Sequence, residues 1–161
     1  MTDSVSQEAV EFFRRSEDYS TGYRQEGLED LRFSYGAQWP VEMQNQRQIE
    51  TRPWFTINET DAYIRQIVNE MRQQRPRIKA HGVNNSADAK IAEIITGITR
   101  HIEELSDAAN AYDTAGEFAV RMGWGYWRLR ADYCTDDSFD QDVRIEPIWN
   151  PFSVSFDPYS H

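Results

Sequence analysis

Cysteine occurs once, at Cys134, so neither an intrachain disulfide framework nor a thiolate zinc knuckle is available, and a reducing compartment fits. The opening Met1-Thr2-Asp3-Ser4-Val5-Ser6-Gln7-Glu8 has no basic segment followed by an apolar one, and no run approaches the roughly 18 apolar residues of a span. Secretion and membrane insertion are not expected. Basic charge is scarce: 17 Lys+Arg face 27 Asp+Glu, a formal net charge of −10 at pH 7. That argues against a general nucleic-acid or anionic-membrane binder, which works by releasing counterions to a basic surface. Leucine is scarce as well, 4 residues against 12 Ile.

The apolar fraction of 39% lies below the usual value of about 45–50%, which predicts a thin core. An aromatic content of 13% is nevertheless too high for a disordered acidic chain. The 161 residues amount to about one domain.

Val5, Ala9, Phe12, Tyr19 and Tyr23, then Leu28, Leu31 and Tyr35, recur at helical steps, predicting an amphipathic helix from Ser6 to Tyr35 broken near Gly22 and Gly27. Between Met1 and Arg32 it carries eight acids against four Arg, a face for solvent or a basic partner. Gly36-Ala37-Gln38-Trp39-Pro40 and the polar stretch to Arg52-Pro53-Trp54-Phe55 read as a long loop whose Trp need apolar cover. Asn58 as N-cap, with Ile64, Ile67, Val68 and Met71 at i, i+3, i+4 and i+7, predicts a helix to Gln74, stopped by Pro76.

Arg77 to Val83 alternates like a half-exposed strand. Asn84 to Asp88 then opens the longest periodic run, with Ile91, Ile95, Ile98, Ile102 and Leu105 on a narrow seam. Small residues Ala108, Ala109, Ala111 and Ala115 follow, up to Phe118 and Met122, and allow close helix approach. From Gly123 the period becomes two. Tyr126 to Trp149 reads as a β-hairpin with a polar turn at Asp136 to Asp140, and Phe152 to Phe156 as a third short strand. The expected class is α+β: several helices, one of them long, packed on a small antiparallel sheet near the C-terminal end. Residues 1–161 read as a single partial domain, since a strand signal ending the sequence leaves an edge that further chain would cover.

Chemistry-bearing clusters are weak. His81, His101 and His161 stand apart, outside ligand spacing. Asp132, Asp136, Asp137, Asp140 and Asp142 could chelate a hard cation but lack the Gly and terminal Glu of a calcium loop, so a solvated turn is the better reading. Glu103, Glu104, Asp107, Glu117 and Glu146 leave a carboxylate-dependent hydrolase open without selecting a pair. Nucleophile-elbow, phosphate-loop and dinucleotide patterns are absent, and Cys134 beside Asp132 and Asp136 has its thiolate disfavoured by like charge. No catalytic residue, metal or cofactor is assigned. The candidate interaction residues are the basic patch Arg72, Arg75, Arg77 and Lys79 together with Trp54, Trp124 and Trp127. Of the 17 basic residues 15 are Arg, suited to bidentate pairing.

Four segments together resemble a known family. Tyr35-Gly36-Ala37-Gln38-Trp39 and Ile64-Arg65-Gln66-Ile67-Val68-Asn69-Glu70-Met71-Arg72-Gln73 with Arg75-Pro76 come first. Gly123-Trp124-Gly125-Tyr126-Trp127-Arg128-Leu129 with Asp132-Tyr133, and Ile145-Glu146-Pro147-Ile148 with Asn150-Pro151-Phe152 and Asp157-Pro158, follow. Their order and spacing are similar to the N-terminal region of portal proteins from short-tailed, double-stranded DNA phages. The resemblance implies the N-terminal, wing-like part of a longer, non-enzymatic subunit that forms a twelve-fold ring at one capsid vertex. Terminase, scaffold and coat proteins, tail adaptors and double-stranded DNA in transit would be its partners, with no membrane involved. It would reside in the virion, and in host cytoplasm during assembly. A stand-alone acidic α+β interaction module is the alternative.

Overall fold

A computed structural model describes residues 2–75, 77–82 and 86–156, apart from the side chains of residues 2–4, 86 and 87. Five helices precede a two-stranded antiparallel sheet: α1 (Thr2–Ser34), α2 (Val41–Ile49), α3 (Thr60–Gln73), α4 (Ser86–Leu105), α5 (Ala108–Met122), β1 (Trp127–Tyr133) and β2 (Gln141–Pro147). The α+β expectation holds. The central element is α5, which packs against α1, α3, α4 and both strands. Its small residues explain this, because Ala108, Ala111, Ala115 and Gly116 are all buried and let neighbours approach closely.

The longest helix is α1, 33 residues without a break, where an interruption at Gly22 and Gly27 was expected. Gly27 instead lies under the indole of Trp124, where a β-carbon would stand 3.2 Å from Nε1. The buried stripe of α1 is made of Ser16, Ser20, Gly27 and Ser34 rather than large apolar residues. Ser20 and Ser34 hydroxyls donate back to the carbonyls of Glu17 and Leu31, which satisfies them inside the contact.

The expected loop from Gly36 to Phe55 contains α2, which buries no residue. Gln44, Asn45, Gln46 and Gln48 hide the helical period, while Pro40 before the first turn and Arg47 in the last support a helix locally. Asn58 does not cap α3, whose N-cap is Glu59. It donates to the Ser34 carbonyl at 2.8 Å and accepts from Gln38 at 3.0 Å, tying the arm that bears α2 to the end of α1. The isoleucine run ends at Leu105, because Asp107 adopts a left-handed conformation (φ 47) and starts α5 in a new direction.

The strand expected at Arg77 to Val83 is not formed over 77–82: this segment runs along α4, with the Ala80 amide donating to Thr96 Oγ1 at 3.2 Å. Val83, the Asn84-Asn85 turn, Pro76 and Asp157 to His161 lie outside the described residues. The hairpin forms as expected, pairing Leu129 with Ile145 and Arg128 with Glu146. Its alternation puts Trp127, Leu129 and Ala131 opposite Pro147, Ile145 and Val143 on one face. On the other face Arg130 sits across from Arg144 and Asp132 across from Asp142. These like-charged pairs are relieved by contacts two residues along each strand, Arg130 with Asp132 and Arg144 with Asp142.

The third strand expected at Phe152 to Phe156 is a 3-10 turn over Pro151–Ser153 followed by extended chain. Its backbone groups bond to α1 rather than to a ladder. Arg24 donates to the carbonyls of Phe152 and Val154, and the Phe156 amide donates to Ser16 Oγ.

Buried Arg121 joins the helices. Its guanidinium donates to Asp61 Oδ1 at 2.9 Å, to Glu117 Oε1 at 2.9 Å and to Ser34 Oγ at 3.3 Å, and stacks 4.4 Å from the Tyr35 ring. Burial opposes its charge, but the bonds to Asp61 and Glu117 outweigh that and hold its pKa above the ordinary value. The Arg121 hydrogen bond in turn holds the Asp61 carboxyl below its ordinary 3.8, helped by Arg65 and opposed by desolvation.

Arg121→Ala is expected to cost about 2–3 kcal/mol in denaturant unfolding, less than a fully buried pair because both acids keep some water contact; a loss within about 0.5 kcal/mol, the range of ordinary surface changes, would show that the junction adds no net stability. Since the folded pKa of Asp61 is depressed, its contribution is complete above the unfolded value near 3.8 and lost as pH falls through the folded one. Asp61→Asn should therefore flatten the fall in stability below about pH 4, and an acid limb identical to that of the parent protein would refute the coupling.

Candidate interaction surfaces

The predicted basic patch divides into two parts. Arg72 Nε lies 3.1 Å from Asp113 Oδ2, and Arg75 Nη2 donates to both oxygens of the same carboxylate at 2.9 and 2.8 Å. These two arginines are a clamp between α3 and α5. Arg77 and Lys79 are exposed and, among the described residues, have no ion pair.

The tryptophans also separate. Trp124 is half-buried in an aromatic cluster with Tyr23, Tyr126 and Phe152, at ring-centroid distances of 5.9, 5.7 and 5.1 Å. Tyr23 also stacks on Phe156. This cluster holds the segment after β2 against α1, and burial pushes the Tyr126 hydroxyl pKa up. Trp127 stands edge-on to Tyr112 at 5.4 Å and stays 42% exposed. Trp54 lies on the arm around α2, 39% exposed, near the Trp39 indole that donates to the Phe55 carbonyl and stacks under Arg47.

Trp127, Arg75 and Arg77 meet at one place, a cleft of about 530 Å³ between the C-terminal half of α3, the middle of α5 and the start of β1. Its floor includes Val68, Met71, Ile78, Tyr112, Gly116 and Trp127. The chain approaches α5 closely here, since a β-carbon on Gly125 would fall 2.0 Å from the Ala115 carbonyl oxygen. Glu103 on the rim accepts from the Tyr112 hydroxyl at 3.2 Å; burial, then Glu103, raise that hydroxyl's pKa. The sequence reading found Trp127 and the two arginines of this cleft but not Tyr112, Gly116 or Gly125. It missed Arg121 and Asp113 too, although an Arg and an Asp inside an Ala- and Gly-rich helix were a signal for buried pairing.

Apolar surface is left open well beyond the cleft. Ile91, Ile94, Ile95 and Ile98 on α4 are each about half exposed or more, as are Ile49, Phe55 and Ile57 on the arm. Such contiguous exposure marks interaction surface. The acidic turn behaves differently. Asp140 accepts from Ser138, Asp132 pairs with Arg130, and no three His, Cys, Asp or Glu among the described residues converge as metal ligands. Partial desolvation and then Asp142 and Asp140 push the Cys134 thiol pKa up, away from nucleophilic character.

Comparison with known proteins adds a separate line. A family model described as phage P22-like portal protein matches residues 10–161. A portal protein of Acyrthosiphon pisum secondary endosymbiont phage 1 is 30% identical over 156 residues, covering 91% of this chain and 22% of the relative. The chain thus spans about a fifth of the length of that curated relative. No solved structure matches the chain significantly.

Trp124→Ala should destabilise the fold by roughly 3 kcal/mol, by loss of packing, whereas Trp54→Ala should stay within about 0.5 kcal/mol in thermal or denaturant unfolding. Equal losses at the two positions would mean that the arm is part of the core.

Proposed function

The chain belongs to the phage P22-like portal protein family, and from that premise we propose that it is the N-terminal, wing-like part of a longer portal subunit. The family is structural rather than enzymatic, and no catalytic role is assigned to any residue of this chain. In the proposed role, subunits close into a ring, of twelve copies by family resemblance, at one vertex of the capsid. The ring serves as the conduit for genome packaging and ejection. Scaffold and coat proteins, the terminase and tail adaptors are its partners, first in host cytoplasm and then in the virion. The family match across nearly the whole chain is the observation that carries this reading.

Physical features support it. A two-stranded sheet and a core of Ala108, Ala111 and Ile145 with Ile102 and Tyr112 against it are small for a chain that also exposes Ile91, Ile98, Phe55 and Phe13. Surface of that kind suits repeated contact with further protein. The net charge of −10 suits passage of DNA, because many cationic phosphate contacts would hold the duplex in place.

Sedimentation velocity on the complete gene product tests the ring. A single species many times the subunit mass is expected. A protein that stays monomeric at assembly concentration would remove this reading and leave the stand-alone interaction module.

A further inference from the structure

One face of α1 is covered along half its length and open along the rest. Val5, Ala9, Phe12, Ser16, Tyr19 and Tyr23 recur at steps of 4, 3, 4, 3 and 4, so they share a single seam. The chain that follows β2 lies on the C-terminal half of that seam. Arg24 donates to the carbonyls of Phe152 and Val154, the Phe156 ring meets Tyr23 and Tyr19, and the Phe156 amide donates to Ser16 Oγ at 3.2 Å. From Phe152 to Phe156 the segment therefore runs antiparallel to α1, towards the start of the helix. Past Ser16 the seam is open: Phe12 is 39% and Val5 66% exposed, with Ala9 exposed between them.

We propose that residues 157–161 keep the course of 152–156 and lie extended along the first turns of α1, closing the seam over Phe12, Ala9 and Val5. Extended chain advances about 3.3 Å per residue and a helix about 1.5 Å, so each further residue passes about two positions of α1. Pro158 then falls level with Phe12, Tyr159 with Ala9, and the five residues together reach from Ser16 back to about Val5. The local sequence suits that course. Asp157 precedes a proline, which disfavours helical backbone there and keeps the chain extended. Phe12 and Ala9 offer no side-chain acceptor of the kind Ser16 supplies, and Pro158 has no amide hydrogen to leave unpaired above them. Charge does not carry the contact: Glu8 and Arg15 flank the seam on one side, while Glu11 and Arg14 lie on the far side of the helix. The occupant is the same chain rather than a second copy, because so short a tether holds it over the seam at an effective concentration on the order of millimolar, against which a neighbour must compete. This contact is independent of the ring reading and leaves the α4 seam and the arm around α2 as the open apolar faces.

The test is made on the complete gene product with Cys134 and any other cysteine replaced by serine. In single variants, a thiol at Ala9→Cys should react with a maleimide roughly tenfold or more slowly than one at Gln7→Cys, which lies on the opposite side of the helix. Oxidation of Ala9→Cys with Tyr159→Cys should then give a disulfide within one chain, identified by the mass of the linked peptides, as should the control pair Tyr19→Cys with Phe156→Cys. Equal labelling at positions 7 and 9 would show an uncovered seam and overturn the proposal. A link between positions 9 and 159 that joins two chains would place a second copy on the seam and overturn it as well. Slow labelling at position 9 with no link to position 159 would mean that another part of the protein covers α1, which again overturns it, whether or not the control pair links.

Discussion

The fold depends on one cation that must be satisfied away from water. Arg121 near the end of α5 is 8% exposed, and an arginine so placed stays charged and needs acceptors. Asp61 comes from the first turn of α3, Glu117 from one turn back on α5, and Ser34 from the last turn of α1. The requirement therefore fixes where three helices meet, and Tyr35 closes the site by stacking on the guanidinium. The Arg72 and Arg75 clamp on Asp113 fixes the other end of the α3–α5 contact. Between these two ionic junctions the interface is lined by Ile64 and Val68. Small residues on α5 bring the backbones close but bury little apolar area, so the polar junctions determine the arrangement that a larger core would otherwise impose.

Much of this was legible where a period ran uninterrupted. The Ile64 to Met71 spacing located α3 to within two residues, and the switch to period two after Gly123 located the hairpin. Legibility failed where local signals competed with tertiary contacts. Gly22 and Gly27 read as breaks because glycine weakens an isolated helix, but Gly27 is the position where the Trp124 indole packs so closely that a β-carbon would crowd it at 3.2 Å. The glutamines of α2 carry no apolar period, because that helix buries nothing and so needed none. Phe152 to Phe156 alternates as a strand does, yet Arg24 and Ser16 took its backbone groups first.

The interaction residues were legible as types and not as pairs. An abundance of Arg announced bidentate bonding, and Arg75 makes such a bond, but its acceptor lies 38 residues away and no local pattern points to Asp113. Only folding reveals that Arg72 and Arg75 are used internally while Arg77 and Lys79 are not. The same holds for aromatics: Trp124 and Trp127 are three residues apart, and the turn into β1 sends one to the α1 cluster and the other to the cleft.

A thin core and a large open apolar surface are two consequences of the same composition. Isoleucine is three times as common as leucine here, 12 against 4, and four of the twelve, Ile91, Ile94, Ile95 and Ile98, lie exposed along the middle of α4. Burying them within this chain would require α4 to turn its seam inward, but Ala92 and Thr96 already occupy the inward side beneath residues 77–82. The seam is thus presented outward by the packing itself. Under the proposed portal role this division is coherent: ionic junctions hold each unit in a defined shape, and the apolar faces remain for the contacts that build a larger assembly. Acidic charge spread along α1 then limits those contacts to surfaces that answer it, since like-charged faces of neighbouring copies repel.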